Sequence, residues 1–215
     1  MSAGEVKRKP YESPVRAAAA RGTRRRIRDA AAELFTKDGY AATTMTAVAA
    51  AAAVSDRTVY LSFETKAALL NECIRVAVRG GDEDAPLMAR AGFRAVLEAP
   101  PDQMLARLAD ASAQLMRRAA RLLAVGESAG NQDPILREFR ERGHAATRAD
   151  ALDIAKALRR AHVLRSGMSP QRAADVIYAL AASESVYLRL VDDLGWSGGD
   201  YARMLERALA GALKG

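Results

Sequence analysis

Two short helix-forming segments are separated by a tight turn near the start of the chain. The first, MTAVAAAA over residues 45–52, is almost entirely alanine after its first turn, whereas the second, DRTVYLS over residues 56–62, is mostly polar. Thr43 or Thr44 is suited to cap the first segment and Ser55 the second, because a hydroxyl oxygen accepts a hydrogen bond from a free amide of the first turn. Two short helices joined by three or four residues form a helix-turn-helix.

The alanines of the first segment predict how the second segment is presented. Small side chains let two helices cross at short distance, so the second helix would be held rigidly with Val59 and Phe63 buried. Its opposite face would carry Asp56, Arg57, Thr58, Tyr60 and Ser62. The major groove of DNA accepts one α-helix, and the second segment is therefore predicted to be a recognition helix.

The composition predicts helices in the rest of the chain as well. Half of the residues are apolar but only 5% are aromatic, and alanine dominates while β-branched residues are sparse. An all-α fold is therefore expected. Before the helix-turn-helix, Ser13 and Pro14 predict a short helix that ends at Gly22, and Thr23 begins an amphipathic helix that stops at Gly39.

The remainder of the chain predicts a helical bundle. Its helices are expected at residues 66–79, 84–98, 102–124, 134–164, 170–193 and 201–213, with a possible kink at Gly143. The chain is thus divided into an N-terminal arm over residues 1–22, a helix-turn-helix domain over 23–65 and a helical domain over 66–215.

The net charge of +7 lies in the N-terminal part of the chain. Nine basic residues precede Asp29, against only Glu5 and Glu12, and they are Lys7, Arg8, Lys9, Arg16, Arg21, Arg24, Arg25, Arg26 and Arg28. Basic and acidic residues are equal in number over the remainder. A basic arm of this kind suits an anionic polymer or surface, and the alternative is a solvated tail.

The stretch from Thr23 to Leu70 resembles the DNA-binding domain of the TetR family of transcriptional regulators. The resemblance is carried by the AAELF…GY.AT pattern at the end of the first helix and by the VS..TVY..F..K..LL pattern of the recognition helix and its exit. Two positions depart from the family pattern. Ala53 stands where a turn glycine is frequent, and Arg57 stands where a small residue is common.

The resemblance implies a homodimeric repressor with a palindromic operator and a small-molecule effector. Arg57 is expected to read a guanine or to contact a phosphate, Tyr60 resembles the family's phosphate-contacting tyrosine, and Lys66 would add a charge to a helix start. The residues expected at the DNA are Thr44, Ser55, Arg57, Thr58, Tyr60, Ser62, Lys66, Arg24 and Arg25.

The family resemblance also implies that the helices after the DNA-binding domain enclose a ligand pocket and form the dimer. Candidate pocket residues are Met88, Phe93, Met104, Leu108, Met116, Phe139, His144, Ile177, Ser183, Glu184 and Tyr187. Core packing is the alternative for the apolar ones. Glu184 lies within a broad apolar arc, so it should pair, bind a cationic ligand group or lie at a rim. The broad apolar surface of the last two helices predicts Val176, Leu180, Val191, Tyr201, Leu205 and Leu209 at a dimer interface.

The sequence favours neither an enzyme nor a metalloprotein. Cys73 is the only cysteine, and Glu141-x-x-His144 is only half of a di-metal carboxylate motif. No catalytic motif, cofactor or membrane segment is recognised, so a cytoplasmic protein without a cofactor is expected. The alternative to a ligand-responsive repressor is a ligand-independent or architectural DNA-binding protein that uses the basic arm, and the presence of an internal cavity would separate the two.

Overall fold

The computed structural model describes residues 14–81 and 89–214, which form α-helices joined by short connections. The helices are α1 (Pro14–Ala42), α2 (Met45–Ala51), α3 (Asp56–Ser62), α4 (Lys66–Arg79), α5 (Ala91–Glu98), α6 (Met104–Gly130), α7 (Pro134–Arg160), α8 (Pro170–Ala181), α9 (Glu184–Leu188) with a π-helical turn over Arg189–Asp193, and α10 (Gly198–Leu213). The all-α class is confirmed. None of these helices is long and apolar enough to cross a membrane.

A first hydrophobic core joins the N-terminal helices. Phe35 of α1, Val48 of α2 and Val59 of α3 are fully buried together with Leu69 and Leu70 of α4. The same core takes in Leu122 and Ala129 of α6 and Leu136 of α7. The helix-turn-helix unit is therefore packed directly onto the ends of two long helices of the C-terminal part.

A second core is built around α6. Leu105 and Leu108 of α6, Leu158 of α7 and Ala173 of α8 are buried in it. Tyr201, Leu205, Leu209 and Leu213 recur every four residues along α10, and all four are buried against the same cluster. This regular stripe fixes α10 to its own chain.

The burial of the α10 stripe corrects part of the predicted dimer interface. Tyr201, Leu205 and Leu209 were expected to face a second subunit, and that is wrong because they fill the chain's own core. A stripe of one residue per turn looks the same in a sequence whether its partner is intramolecular or intermolecular. Val176, Leu180 and Val191 remain partly exposed at the edge of the core.

Several helix boundaries differ from the sequence prediction. α1 runs unbroken through Gly22 and Thr23, since the alanines and arginines around them are strong helix formers. The predicted loop after residue 124 is mostly helix, because α6 continues to Gly130. The predicted helix over 170–193 is interrupted where the Ser183 hydroxyl accepts a hydrogen bond from the Val186 amide and starts α9.

The glycines of α6 lie in the helix for reasons of packing. A Cβ at Gly126 would be 2.7 Å from Ile74 Cδ1, and a Cβ at Gly130 would be 3.2 Å from the Arg140 guanidinium. Glycine therefore lies at close contacts within a helix here, in a stretch where the sequence predicted no helix. α7 is likewise continuous through Gly143 and ends at Arg160.

The Tyr201 hydroxyl generates a stability prediction. Among the described residues, this hydroxyl is the one buried side-chain polar atom that has no hydrogen-bond partner. Burial raises the pKa of Tyr201 to about 12. Removing an unsatisfied buried hydroxyl avoids a desolvation cost of about 1–3 kcal/mol. Tyr201→Phe should therefore leave the free energy of unfolding unchanged or raise it by about 1 kcal/mol in urea titration. A loss of more than about 1 kcal/mol would mean that the hydroxyl has a partner in solution.

Candidate nucleic-acid interface and internal cavity

The turn between α2 and α3 is fixed by hydroxyl caps. Thr44 accepts a hydrogen bond from the Ala47 amide at 3.1 Å, and Ser55 accepts one from the Thr58 amide at 3.2 Å. Ala53 has a φ of 52°, in the left-handed region where an L-residue is strained by roughly 1–2 kcal/mol. The two caps and the packing of α2 on α3 hold the turn in spite of this strain.

The outer face of α3 is open along its whole length. Arg57 is exposed, and the Tyr60 side chain is 53% exposed. Thr58 lies partly behind this face, where its hydroxyl bonds that of Ser55 at 2.8 Å. α3 therefore presents a short polar surface that fits a DNA groove in size and shape.

Leu61 is a residue of this face that the sequence interpretation missed. Its side chain is 76% exposed, the largest exposure among the apolar residues of α3. The signal was its position between Tyr60 and Ser62, both assigned to the outer face, but its aliphatic character suggested packing. An exposed aliphatic side chain on a groove-facing helix is suited to contact a thymine methyl group.

Two basic residues predicted at the DNA are used to hold the unit together. Lys66 Nζ donates to the carbonyls of Tyr40 and Thr43 at 2.8 and 2.9 Å and lies 4.3 Å from the Tyr40 ring centroid. The Arg24 guanidinium donates to the Ser62 carbonyl and stacks 4.0 Å from the Phe63 ring centroid. Both side chains thus position helix ends, and a direct DNA contact by either one stays a prediction.

The start of α1 extends the basic surface beyond the helix-turn-helix. Arg25 is well exposed and lies 3.5 Å from Asp29, while Arg16 and Arg21 lie on the exposed N-terminal turns. The predicted arm residues Lys7, Arg8 and Lys9 fall outside the described residues. Ser62 is half-buried beneath its bond with Arg24.

A cavity of about 970 Å³ lies between α4, α5, α6, α7 and α8. Its lining is mainly apolar, with Ile74, Met116 and Phe139 from three different helices. α7 covers it without filling it, because α7 buries no residue between Leu136 and Ala151. The volume is that of a site for a drug-sized molecule.

The cavity contains eight of the predicted pocket residues. They are Phe93, Leu108, Met116, Phe139, His144, Ile177, Ser183 and Glu184. Met104 and Tyr187 are not part of its lining: both are buried in the second core, so their assignment to the pocket is wrong. Met88 falls outside the described residues.

The charged lining of the cavity was missed by sequence interpretation. It includes Arg75, Arg79, Arg90, Glu127 and Asp150. In the sequence these residues look like ordinary polar positions of amphipathic helices. They come together around one cavity because α4, α6 and α7 cross there, and a local sequence pattern does not indicate such a crossing.

His144 is paired within the cavity wall. Its Nε2 lies 2.7 Å from Glu127 Oε1, and its ring meets Tyr178 edge-on at 6.5 Å. Glu141, the other half of the predicted motif fragment, is exposed on the outer side of α7. The imidazole is therefore oriented by α6 rather than by its neighbour in sequence.

α4 connects the cavity with the helix-turn-helix. Leu69, Leu70 and Cys73 of α4 lie in the first core, whereas Ile74 and Arg79 line the cavity. The Cys73 thiol donates to the Arg28 carbonyl at 3.4 Å, and burial raises the pKa of this thiol to about 12. One rigid helix thus has one end in each unit.

A second connection lies at the start of α7. The Tyr40 hydroxyl at the end of α1 donates to Asp133 Oδ2 at 3.2 Å, and burial together with the Asp133 charge raises the pKa of Tyr40 to about 12. Asp133 also caps α7 by accepting from the amides of Ile135 and Leu136. The helix over the cavity therefore begins at a bond to the N-terminal unit.

Solved structures share this fold over nearly the whole chain. NalD of Pseudomonas aeruginosa, the secondary repressor of the MexAB-OprM multidrug efflux pump, is 24% identical with a TM-score of 0.66, covering 91% of this chain and 98% of its own. FadR of Bacillus subtilis in complex with stearoyl-CoA is 18% identical with a TM-score of 0.69, covering 87% and 98%. A proposed regulator of Saccharomonospora viridis in complex with choline is 17% identical with a TM-score of 0.69, covering 91% and 99%.

The sequence itself matches a known family over the N-terminal unit. Residues 27–73 match the family model of bacterial regulatory proteins, tetR family. No curated protein matches the chain. The matched segment runs from the buried Ile27 of α1 to Cys73 of α4 and includes the whole helix-turn-helix. Residues 27–73 therefore match the DNA-binding domain of the tetR family of bacterial regulatory proteins, and the chain as a whole has the fold of solved regulators such as NalD.

Proposed function

We propose that this protein is a homodimeric repressor that binds a palindromic operator through α3 and leaves it when a small molecule fills the cavity. The observation that carries this proposal is α4, which has Leu69 and Leu70 in the core of the helix-turn-helix and Ile74 in the cavity wall. A ligand that displaces the cavity end of α4 would also displace α3.

The release would operate as a shift between two arrangements. A ligand favours whichever arrangement it binds more tightly, and the DNA favours the other. The contact between Ile74 and Gly126 supports this because α4 has no free space toward α6 at that point. A molecule too large for the cavity would therefore have to move α4 or α7.

The cavity also favours a ligand-responsive regulator over a ligand-independent one. Its volume of about 970 Å³ is large for a domain of this size and its lining is apolar, so leaving it empty would forfeit packing energy. Similar folds hold choline in one protein and stearoyl-CoA in another, which differ in charge and length. The residues of this cavity, and not the fold, would then determine the ligand.

Selection of bound duplexes from a random DNA pool tests the proposed function directly. A homodimer with one recognition helix per subunit should enrich two inverted half-sites whose centres lie about 34–36 Å apart, or a multiple of this. Enrichment of no sequence, or of single sites without symmetry, would overturn the repressor model. The selection uses no ligand and so tests DNA recognition independently of the cavity.

Arg57 provides a test at the level of one base. Arg57→Ala should cost about 1–3 kcal/mol of operator affinity and relax the preference at one position of each half-site, because arginine can bond the O6 and N7 of guanine. Arg107→Ala, an exposed arginine on α6, is the matched control and should bind normally. An equal loss on all sequences would make Arg57 a phosphate contact. Fluorescence anisotropy on the selected operator and on its single-base variants measures the loss of affinity and the change in base preference.

The N-terminal arm provides a second test. Removing residues 1–22 takes away five basic residues, including Arg16 and Arg21 of the exposed start of α1, and leaves the first core intact. Fewer counterions should then be released on binding, so affinity should fall and the slope of log affinity against log salt should become shallower. A salt slope that does not change on truncation would show that the arm is not in contact with DNA.

The proposed dimer uses the exposed side of the C-terminal helices. Exposed apolar side chains cluster between α9 and α10, where Val186, Leu194 and Trp196 lie within eleven residues, and Leu194 is 63% exposed. Val176 and Leu180 of α8, which pack against the second core, are also partly exposed. Exposed apolar side chains in this number support an isologous contact with a second copy.

A double substitution in that surface tests the dimer. Leu194→Glu with Trp196→Glu should give a folded monomer in size-exclusion chromatography with light scattering, because charges in a desolvated interface cost several kcal/mol. Leu97→Glu, which changes an exposed apolar residue on α5, is the control and should remain dimeric. If the double variant stays a dimer with normal operator binding, the interface lies elsewhere.

A further inference from the structure

The charges around the cavity differ in whether the protein already uses them. Five arginines and three acidic residues line it. Among the described residues all five arginines are engaged in hydrogen bonds or ion pairs, whereas two of the carboxylates have no direct partner. This difference determines which charge a ligand would have to bring.

The arginines at the α4 end of the cavity stabilise the protein itself. Arg75 donates to both oxygens of Glu72 at 2.6 and 2.8 Å. Arg90 donates to the Val78 carbonyl at 3.0 Å, one of the free carbonyls at the C-terminal end of α4, where positive charge is favoured by the helix dipole. Arg79 is engaged as well.

The arginines on α7 are used in the same way. Arg140 donates to the Glu127 carbonyl at 3.1 Å and to Asn131 Oδ1 at 2.9 Å. Arg142 pairs with Glu138 at 3.5 Å on the exposed side of the helix. An anionic ligand would have to take these side chains from existing partners.

The carboxylates of Asp150 and Glu184, in contrast to the arginines, are not paired within the described residues. Among the described residues neither one forms a hydrogen bond or an ion pair, and Glu127, the third acidic residue of the lining, is bonded to His144. Burial raises the pKa of Asp150, and Arg90 counteracts this only through space. A half-buried carboxylate beside apolar surface is costly until a positive charge is brought to it.

We propose that the cavity binds organic cations with an apolar body, and that Asp150 on α7 and Glu184 on α9 receive the positive group. The apolar body would lie against Ile74, Met116 and Phe139, and the cation would draw α7 and α9 together over the cavity. This inference rests on the proposed function and specifies its effector. The sequence left three roles open for Glu184, namely an ion pair, binding of a cationic ligand group and a position at a rim, and this inference assigns it the second.

Three probes with the same apolar chain and different charge separate the possibilities. Decyltrimethylammonium, decyl sulfate and 1-decanol are titrated calorimetrically into the full-length protein below their aggregation concentrations. The ammonium compound should bind at least about tenfold more tightly than either of the others, as expected for a partly desolvated charge pair. It should also release the selected operator in anisotropy measurements.

The variants Asp150→Asn and Glu184→Gln identify the residues responsible. Each should weaken binding of the ammonium probe about tenfold and leave the neutral probe unaffected, which shows that the cavity is intact. Asp153→Asn is the matched control, since Asp153 lies one turn from Asp150 on α7 and already pairs with Lys156 at 3.1 Å. Asp150→Asn should in addition keep or raise the free energy of unfolding, because an uncompensated carboxylate is removed.

The outcomes distinguish this inference from the proposed function. Tighter binding of decyl sulfate, equal binding of all three probes, or no binding of the ammonium probe would each overturn a cation site. Loss of neutral-probe binding in the two variants would also overturn it, since the carboxylates would then be structural. Failure of the DNA selection to return inverted half-sites would overturn the repressor model, whichever probe binds.

Discussion

The close crossing of α4 and α6 is the constraint on which the rest of the structure depends. A Cβ at Gly126 would lie 2.7 Å from Ile74 Cδ1, so any larger residue at this position would have to displace the Ile74 side chain. Because α4 is held there, its first turns can bury Leu69 and Leu70 under the helix-turn-helix while its last turns border the cavity. The helix-turn-helix unit and the cavity thus share one helix.

The cavity itself results from how α7 is supported. α7 is held at its start by Asp133 and Leu136, which belong to the N-terminal unit, and at its end by Ile154 and Leu158 in the second core. No residue of the turns between these supports is fully buried, so an apolar space remains under them. Interiors are otherwise close-packed, which makes this space a feature that a ligand would complete.

Local features were predictable from the sequence and long-range ones were not. The caps Thr44 and Ser55 and the buried pair of α3 follow from interactions within a few residues, and the structure has them as expected. The burial of Leu205 inside its own subunit depends on how helices far apart in sequence cross, and so does the presence of Asp150 and Glu184 in the lining of one cavity. The family resemblance implied that a cavity is present, but of the charged residues that line it the sequence indicated only Glu184.

The most direct test of the account is the distance between the DNA-binding unit and the far end of α6 when the cavity is filled. Dyes attached through Glu64→Cys and Asp110→Cys, both exposed positions, report this distance by single-molecule energy transfer, since the thiol of Cys73 is buried and stays protonated below its raised pKa. Two distances are expected, one favoured by operator DNA and the other by whichever decyl probe binds. A single distance that neither DNA nor ligand changes would contradict the coupling through α4.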